Sequence, residues 1–246
     1  MTPPFIWPTT PRAFLRLHCV KTITHAWPPG RFLEMGAGRG DFTAYFLSRG
    51  FSGSCYDLGE INRQHLRDRF AGLNLLVIDE PEIPKNPFDY LFAFEVLEHI
   101  PQDRESLTQW LQYLKPGGQI LLSVPAHRRK FDQDDRYSGH LRRYEKAELL
   151  TWLTANHIRE IKILNYGFPL GNLLRILNPL FFSTNQAETT HPETLSVQSG
   201  LNRRCDQITG NRWFPKLLLT LCAQLQIPLF NQDLGIGYVA TGIKMP

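Results

Sequence analysis

RFLEMGAGRGD, residues Arg31–Asp41, is the stretch that decides the fold. The apolar pair Phe32 and Leu33 leads into Glu34, and three glycines then alternate at Gly36, Gly38 and Gly40. A helix-like segment, FTAYFLSRG, follows at once. A strand that breaks on glycines and re-enters as a helix offers bare backbone to a ligand at the helix N-terminus. Asp57 closes a second strand-like run, SGSCYD, seventeen residues past Gly40. A carboxylate at the tip of the neighbouring strand suits the two hydroxyls of a ribose. Together these signals predict an adenosine-containing cofactor.

The glycine spacing narrows the choice. The dinucleotide fingerprint is G-x-G-x-x-G, whereas this chain has G-x-G-x-G with an acid two residues before the first glycine. A pyrophosphate wants open N–H groups and no nearby anion. A cofactor with an amino acid tail carries an ammonium and tolerates a carboxylate such as Glu34. On these residues the chain resembles the class I S-adenosylmethionine-dependent methyltransferases, of bacterial small-molecule type. EMGAGRG is similar to their first motif and Asp57 to their ribose-binding acid. FDYLFAFEVLEHIPQD (88–103) resembles their fourth-strand motif, and LKPGGQILLSVP (114–125) their fifth-strand approach. The resemblance covers residues 28–165 plus 236–245. It implies a seven-stranded sheet whose last strand is antiparallel to the rest, with S-adenosylmethionine as cofactor and S-adenosylhomocysteine as product.

Local patterning fits that expectation. Strand-like runs lie at 31–35, 52–57, 73–79, 88–94, 118–124 and 158–164, with a closing alternation at 237–245. Helical runs at 40–49, 60–70, 103–114 and 145–156 separate them, and 11–26 reads as a leading helix. Alternation with short links predicts an α/β doubly wound, mostly parallel sheet with helices on both faces. The segments follow as an irregular or helical lead (1–27), a cofactor-binding core (28–165 plus 234–246) and a helical insert or lid (166–233).

Composition sets bounds. The 246 residues are 42% hydrophobic and 20% charged, enough for a packed core. A net charge of +4 is weak for a dedicated nucleic-acid binder. Cys19, Cys55, Cys205 and Cys222 are scattered with no C-x-x-C pair, reading as reduced thiols of a cytoplasmic protein. The N-terminus lacks the apolar core of a signal peptide. No set of His, Asp and Glu stands at metal-ligand spacing, so no metal is implied.

Ligands in such sheets lie beyond the carboxyl ends of the strands. Gly36, Gly38 and Gly40 would pack beneath the methionyl part, Asp57 would bind the ribose, and Leu58 would flank the adenine. Asp79 would accept from the adenine amino group. Glu95, Val96 and His99 would face the methionine tail. For Asp79, His99 and Glu98 the plainer alternatives are a solvated acid, a packing histidine and a surface charge.

The acceptor would arrive after the fifth strand. AHRRKFDQDDRYSGHLRRYEK (126–146) carries seven Lys/Arg against four acids. Some bacterial members of the resembled family carry a similar D-x-x-x-G-H-x-R-R-Y segment, here Asp135, Gly139, His140, Arg142, Arg143 and Tyr144. His140 is the leading general-base candidate and His127 the second, since imidazole titrates near working pH. Tyr144 would orient the acceptor, and Arg142 and Arg143 would bind its anionic group. Internal pairing of these arginines with acids is the alternative.

The insert holds two apolar runs, 166–182 and 213–230, around a polar stretch, STNQAETTHPETLSVQSG. They read as helices packed on the core, a lid, a homodimer contact or a peripheral membrane contact. The expected function is methyl transfer to a small-molecule acceptor, anionic or lipid-linked. The alternatives are RNA or protein methylation, a non-catalytic adenosine-cofactor module, and a nicotinamide dehydrogenase, which the glycine spacing disfavours.

Overall fold

The computed structural model describes residues 10–79, 88–181 and 216–246. Its seven strands are β1 (Arg31–Met35), β2 (Ser52–Tyr56), β3 (Leu75–Ile78), β4 (Phe88–Phe94), β5 (Leu114–Pro125), β6 (Ile158–Tyr166) and β7 (Gly237–Lys244). They form one sheet in the order β3-β2-β1-β4-β5-β7-β6. β1 to β5 pair parallel, and β7 runs antiparallel between β5 and β6. Strand order reverses between β1 and β4, so the loops leaving those two strands diverge and open a crevice at their carboxyl ends.

Side-chain alternation divides the core. Phe32 of β1 and Tyr90, Phe92 and Phe94 of β4 face α1 (Pro11–Thr24), α2 (Asp41–Ser48) and α3 (Glu60–Arg69). Leu33, Met35, Leu91 and Ala93 face α4 (Asp103–Trp110) and α6 (Lys146–Ala155) on the other side. A short α5 (Gln133–Tyr137) lies in the long connection after β5. α7 (Leu170–Phe181) and α8 (Lys216–Leu225) precede β7.

Three boundaries depart from the sequence pattern for local reasons. The 103–114 helix ends as α4 plus a 3-10 turn, Leu111–Tyr113. β5 begins at Leu114, four residues early, because Leu114 pairs with Phe88 before the pairing register shifts. Lys115, Pro116 and Gly117 are the exposed residues of that irregularity. The leading segment belongs to the core: Phe14, Leu15, Leu17, Cys19 and Val20 of α1 are buried in the same cluster as β1 and β4.

Only the ends of the insert are described. Gln226, just after α8, donates to the Leu15 carbonyl of α1 (2.9 Å) and accepts the Gly167 amide (2.9 Å). α8 is thereby tied to α1 and to the end of β6. The polar stretch 183–200 and Arg203, Arg204 and Arg212 lie outside the described residues. Among the described residues no helix is long and apolar enough to cross a membrane.

Phe92 is fully buried, with its ring stacked 4.1 Å from Phe46 and 5.4 Å from Phe32. Phe92→Ala should therefore cost about 3–5 kcal/mol of stability in urea denaturation. A loss below about 1 kcal/mol would mean that this aromatic layer does not hold α2 to the sheet.

Candidate active site

The site begins where β1 ends. Gly36 and Ala37 donate their amides to the Tyr56 carbonyl (2.8 and 3.0 Å), which bends the chain across the tip of β2. Gly36 has φ +68°, and a Cβ there would lie 2.5 Å from Val96 Cγ2. A side chain is excluded by both conformation and space. Gly38 and Gly40 are also left-handed, at φ 53° and 74°. Gly40 caps α2 with backbone alone, leaving the first-turn N–H groups of that helix beside the loop.

Asp57 locks this loop. Its buried carboxylate accepts the Gly38 amide at 2.8 Å, the Gly59 amide at 3.2 Å and the Asn62 side-chain amide at 2.7 Å. A carboxylate has about four acceptor positions, so capacity remains for a hydroxyl. Leu58 beside it is exposed, an apolar surface at the rim. Asp79 closes β3, where it pairs with Arg67 and lies 3.3 Å from Arg63. Glu34 points to the α2 side of the sheet, is buried, and accepts from Thr43 Oγ1. Burial, reinforced by Asp41 and Asp57, pushes its carboxyl up to about 8. Thus Glu34 lies behind the glycine loop, protonated at neutral pH.

β4 supplies the opposite wall. Glu95 sits at φ 56° directly after the strand. One carboxylate oxygen lies 3.0 Å from Arg16 Nη1 and accepts from Ser123 at 3.1 Å and Tyr166 at 3.4 Å. Arg16, buried on α1 and stacked over Phe42, escaped the sequence reading. Its only signal was a cation amid the apolar face of a leading helix.

A compact polar cluster lies between the turn Leu97–His99 and the loop after β5. Leu141 donates its amide to the Glu98 carbonyl (2.7 Å), and His99 Nδ1 meets the Gly139 carbonyl (3.1 Å). Asp135, buried on α5, contacts His140 Nδ1 at 2.8 Å and Arg143 Nε at 2.7 Å. Burial opposes its charge, but these two partners hold its carboxyl well below the usual carboxylate range. His140 is pulled below its ordinary value, chiefly by burial, against the pull of Asp135. Its Nε2 lies 3.8 Å from Glu98. Glu98, weighed as a surface charge, is completely buried.

The remaining acceptor-side candidates are placed differently. Arg143 is buried, with Asp135 and the Ala126 carbonyl as its partners. Arg142 pairs with Asp103 (2.6 Å) and donates to the Pro101 carbonyl. Tyr144 is buried and donates to Asp103 (2.7 Å); burial first, then that carboxylate, raises its phenol far above the usual range. His127 is buried at φ 65° against the Tyr238 ring, its Nε2 3.7 Å from Asp233. Burial lowers its pKa, with Lys130 adding to the effect. The fold therefore unites His99 and His140, while His127 and Tyr144 lie in separate contacts.

Glu34 makes a pH test. Its folded pKa of about 8 exceeds the ordinary 4.5. The folded chain therefore binds more protons than the unfolded chain between those values. The stability contribution is complete below about pH 4.5 and is lost as pH rises to about 8. The melting temperature of the wild type should fall relative to Glu34→Gln across that window, as followed by circular dichroism. Parallel profiles would show that Glu34 ionises freely inside the fold.

Known proteins share this architecture. A family model described as a methyltransferase domain matches residues 12–161. Phosphoethanolamine N-methyltransferase 2 of Haemonchus contortus, in complex with S-adenosyl-L-methionine, superposes with a TM-score of 0.58 at 16% identity, over 94% of this chain and 53% of that one. A SAM-dependent methyltransferase from Archaeoglobus fulgidus gives 0.55 at 15% identity, over 95% and 94%. Ubiquinone biosynthesis O-methyltransferase of Dechloromonas aromatica is 29% identical over 101 residues, 38% of this chain and 44% of that protein. A highly reducing polyketide synthase of Emericella nidulans is 26% identical over 130 residues, 45% of this chain and 5% of that protein. The chain thus spans less than half the length of these two curated relatives. With its family match running from α1 into β6, the chain belongs to the methyltransferase domain family, the class I enzymes that use S-adenosylmethionine.

Proposed function

We propose that the chain methylates a small-molecule acceptor bearing an anionic or lipid-linked group, in the crevice between the glycine loop and residues 126–144. The observation that carries this reading is that two devices are attached to neighbouring strands at the β1/β4 switch point, one following β1 and the other tied to the turn after β4. One is the loop braced by Asp57, and the other is the His140–Asp135 pair. The cradle fits the donor: a side chain at Gly36 would fill it, and Asp57 retains acceptor capacity.

Bound S-adenosylmethionine supplies a methyl activated by a positive sulfur. The chain's own residues position and protect it. Gly36, Gly38 and Gly40 admit the methionyl backbone, Asp57 takes the ribose, and Leu58 covers one adenine face. Asp79 takes the adenine amino group. The Arg16–Glu95 pair, beside Val96, is charge-complementary to an amino acid zwitterion. In-line geometry and exclusion of water supply the rest. Asp135 accepts the Nδ1 proton of His140, so Nε2 holds the lone pair that takes a proton from the acceptor. A lowered pKa keeps that imidazole neutral near pH 7.

Internal pairing supports a small acceptor over a nucleic acid. Arg128 pairs with Glu148, Arg142 with Asp103 and Arg143 with Asp135. The basic segment therefore spends much of its charge on its own fold and offers a short recognition surface. Two solved relatives suggest the range of acceptors: the phosphoethanolamine enzyme and a Burkholderia thailandensis 1,6-didemethyltoxoflavin N1-methyltransferase.

Calorimetry should show heat with S-adenosylhomocysteine and none with NAD; the reverse would defeat this reading. His140→Ala should keep S-adenosylhomocysteine affinity. Against a panel of phenol, amine and carboxylate acceptors, with S-adenosylhomocysteine release as readout, it should lose turnover by about 10²-fold or more. Unchanged turnover would remove His140 from the chemistry.

A further inference from the structure

We propose that Glu98, His99 and His140 form a divalent transition-metal site. The three residues lie up to 42 positions apart, from Glu98 in the turn after β4 to His140 in the loop after β5. Their ligand atoms all fall within 4.8 Å of one another. Small rotations would close that spacing onto an ion with bonds of about 2.0–2.2 Å.

The hydrogen bonds around the two imidazoles fix which atoms face the ion. His99 Nδ1 meets the Gly139 carbonyl, and His140 Nδ1 meets the Asp135 carboxylate. Both partners can only accept, so each Nδ1 carries the proton and each Nε2 carries a lone pair. A metal-binding histidine characteristically donates its second ring N–H to a carbonyl or carboxylate. Both histidines here have that arrangement before any ion enters. Asp135 is itself fixed by Arg143 and by the Asp132 amide. The ring of His140 meets that of His99 edge-on with centroids 4.8 Å apart. Glu98 supplies a buried carboxylate to the same space, 3.8 Å from His140 Nε2.

Two imidazoles and one carboxylate suit zinc, cobalt, iron or manganese better than magnesium or calcium. Three protein ligands leave coordination positions open. Both histidines are partly exposed, so those positions can face the crevice. What the ion would do there rests on the methyltransferase reading. An acceptor hydroxyl on an open position loses its proton to solvent, its oxygen forms the bond to the methyl carbon, and the sulfur keeps the electron pair of the broken C–S bond. With the ion bound, His140 would be a ligand, and the general-base role of its Nε2 would belong to the metal-free chain.

The test uses the full chain, free of tags and stripped of metal. Co²⁺ is titrated with visible absorption as readout, and Zn²⁺ is added in competition. One equivalent of Co²⁺ should give ligand-field bands that Zn²⁺ abolishes. His99→Ala and His140→Ala should each weaken binding by at least about 10-fold, and Asp135→Asn by about 10- to 100-fold. Circular dichroism and S-adenosylhomocysteine affinity show whether each variant is folded. Absence of Co²⁺ and Zn²⁺ binding to the wild type at millimolar metal would overturn the site, as would wild-type affinity in the two folded histidine variants. Failure to bind S-adenosylhomocysteine would instead overturn the methyltransferase reading and leave the cation result standing.

Discussion

The carboxylate of Asp57 is the constraint on which the site depends. It accepts from Gly38 in the loop after β1 and from Gly59 and Asn62 at the start of α3. One buried anion thus sets the separation of two elements that would otherwise diverge from the sheet edge. The geometry is permitted because Gly38 and Gly36 adopt positive φ, which other residues reach only with strain. The glycines make the bend accessible, and the aspartate selects one shape of it. In the ribose-binding role proposed for it, Asp57 would offer a carboxylate already oriented, leaving little ordering for the ligand to impose.

A second buried aspartate organises the other wall. Asp135 belongs to a reciprocal cap with Asp132 at the start of α5, and it also reaches His140 and Arg143. The loop carrying His140 is further joined to the turn after β4 by Leu141 and His99, and to the start of α4 by Arg142 and Tyr144 through Asp103. A long connection after a strand tip is normally mobile. Here it is pinned at several points to the adjacent strand's turn, which lets a loop residue hold a defined position against the crevice.

Much of the fold was legible because it rests on local signals. Hydrophobic alternation located all seven strands, and the G-x-G-x-G break marked the switch point. Lys115–Gly117 illustrates a limit: a helix-stop pattern and a strand irregularity use the same residues, and only pairing with Phe88 distinguishes them. In the site, the glycines were legible because the backbone conformation demands them, and Asp57 because it sits at the end of the strand beside their loop. Arg16, Glu98 and the grouping of Glu98 with His99 and His140 were not. A buried ion pair between α1 and β4 leaves no periodic trace, and a cluster built from positions 98, 99 and 140 has no spacing to recognise. The basic segment was misleading for the opposite reason. Its charge count is visible in sequence, whereas two of the carboxylates that absorb it, Asp103 and Glu148, come from other elements.

Two buried carboxylic acids show how environment, more than residue type, assigns roles. Glu34 and Asp135 are both almost wholly removed from solvent. Glu34 has one hydroxyl donor and two acidic neighbours, and it keeps its proton up to about pH 8. Asp135 has an imidazole and a guanidinium, and it stays ionised well below the usual range. Desolvation acts on both in the same direction, so the partners decide the outcome. The consequence is an asymmetric crevice. On the glycine-loop side Glu34 keeps its proton, and the carboxylate that accepts from the loop is that of Asp57. Behind His140 the chain holds a fixed negative charge, which orients the imidazole and opposes the lowering of its pKa by burial. The same fixed charge serves whether that nitrogen receives a proton or a metal ion, because either is a cation arriving at one lone pair.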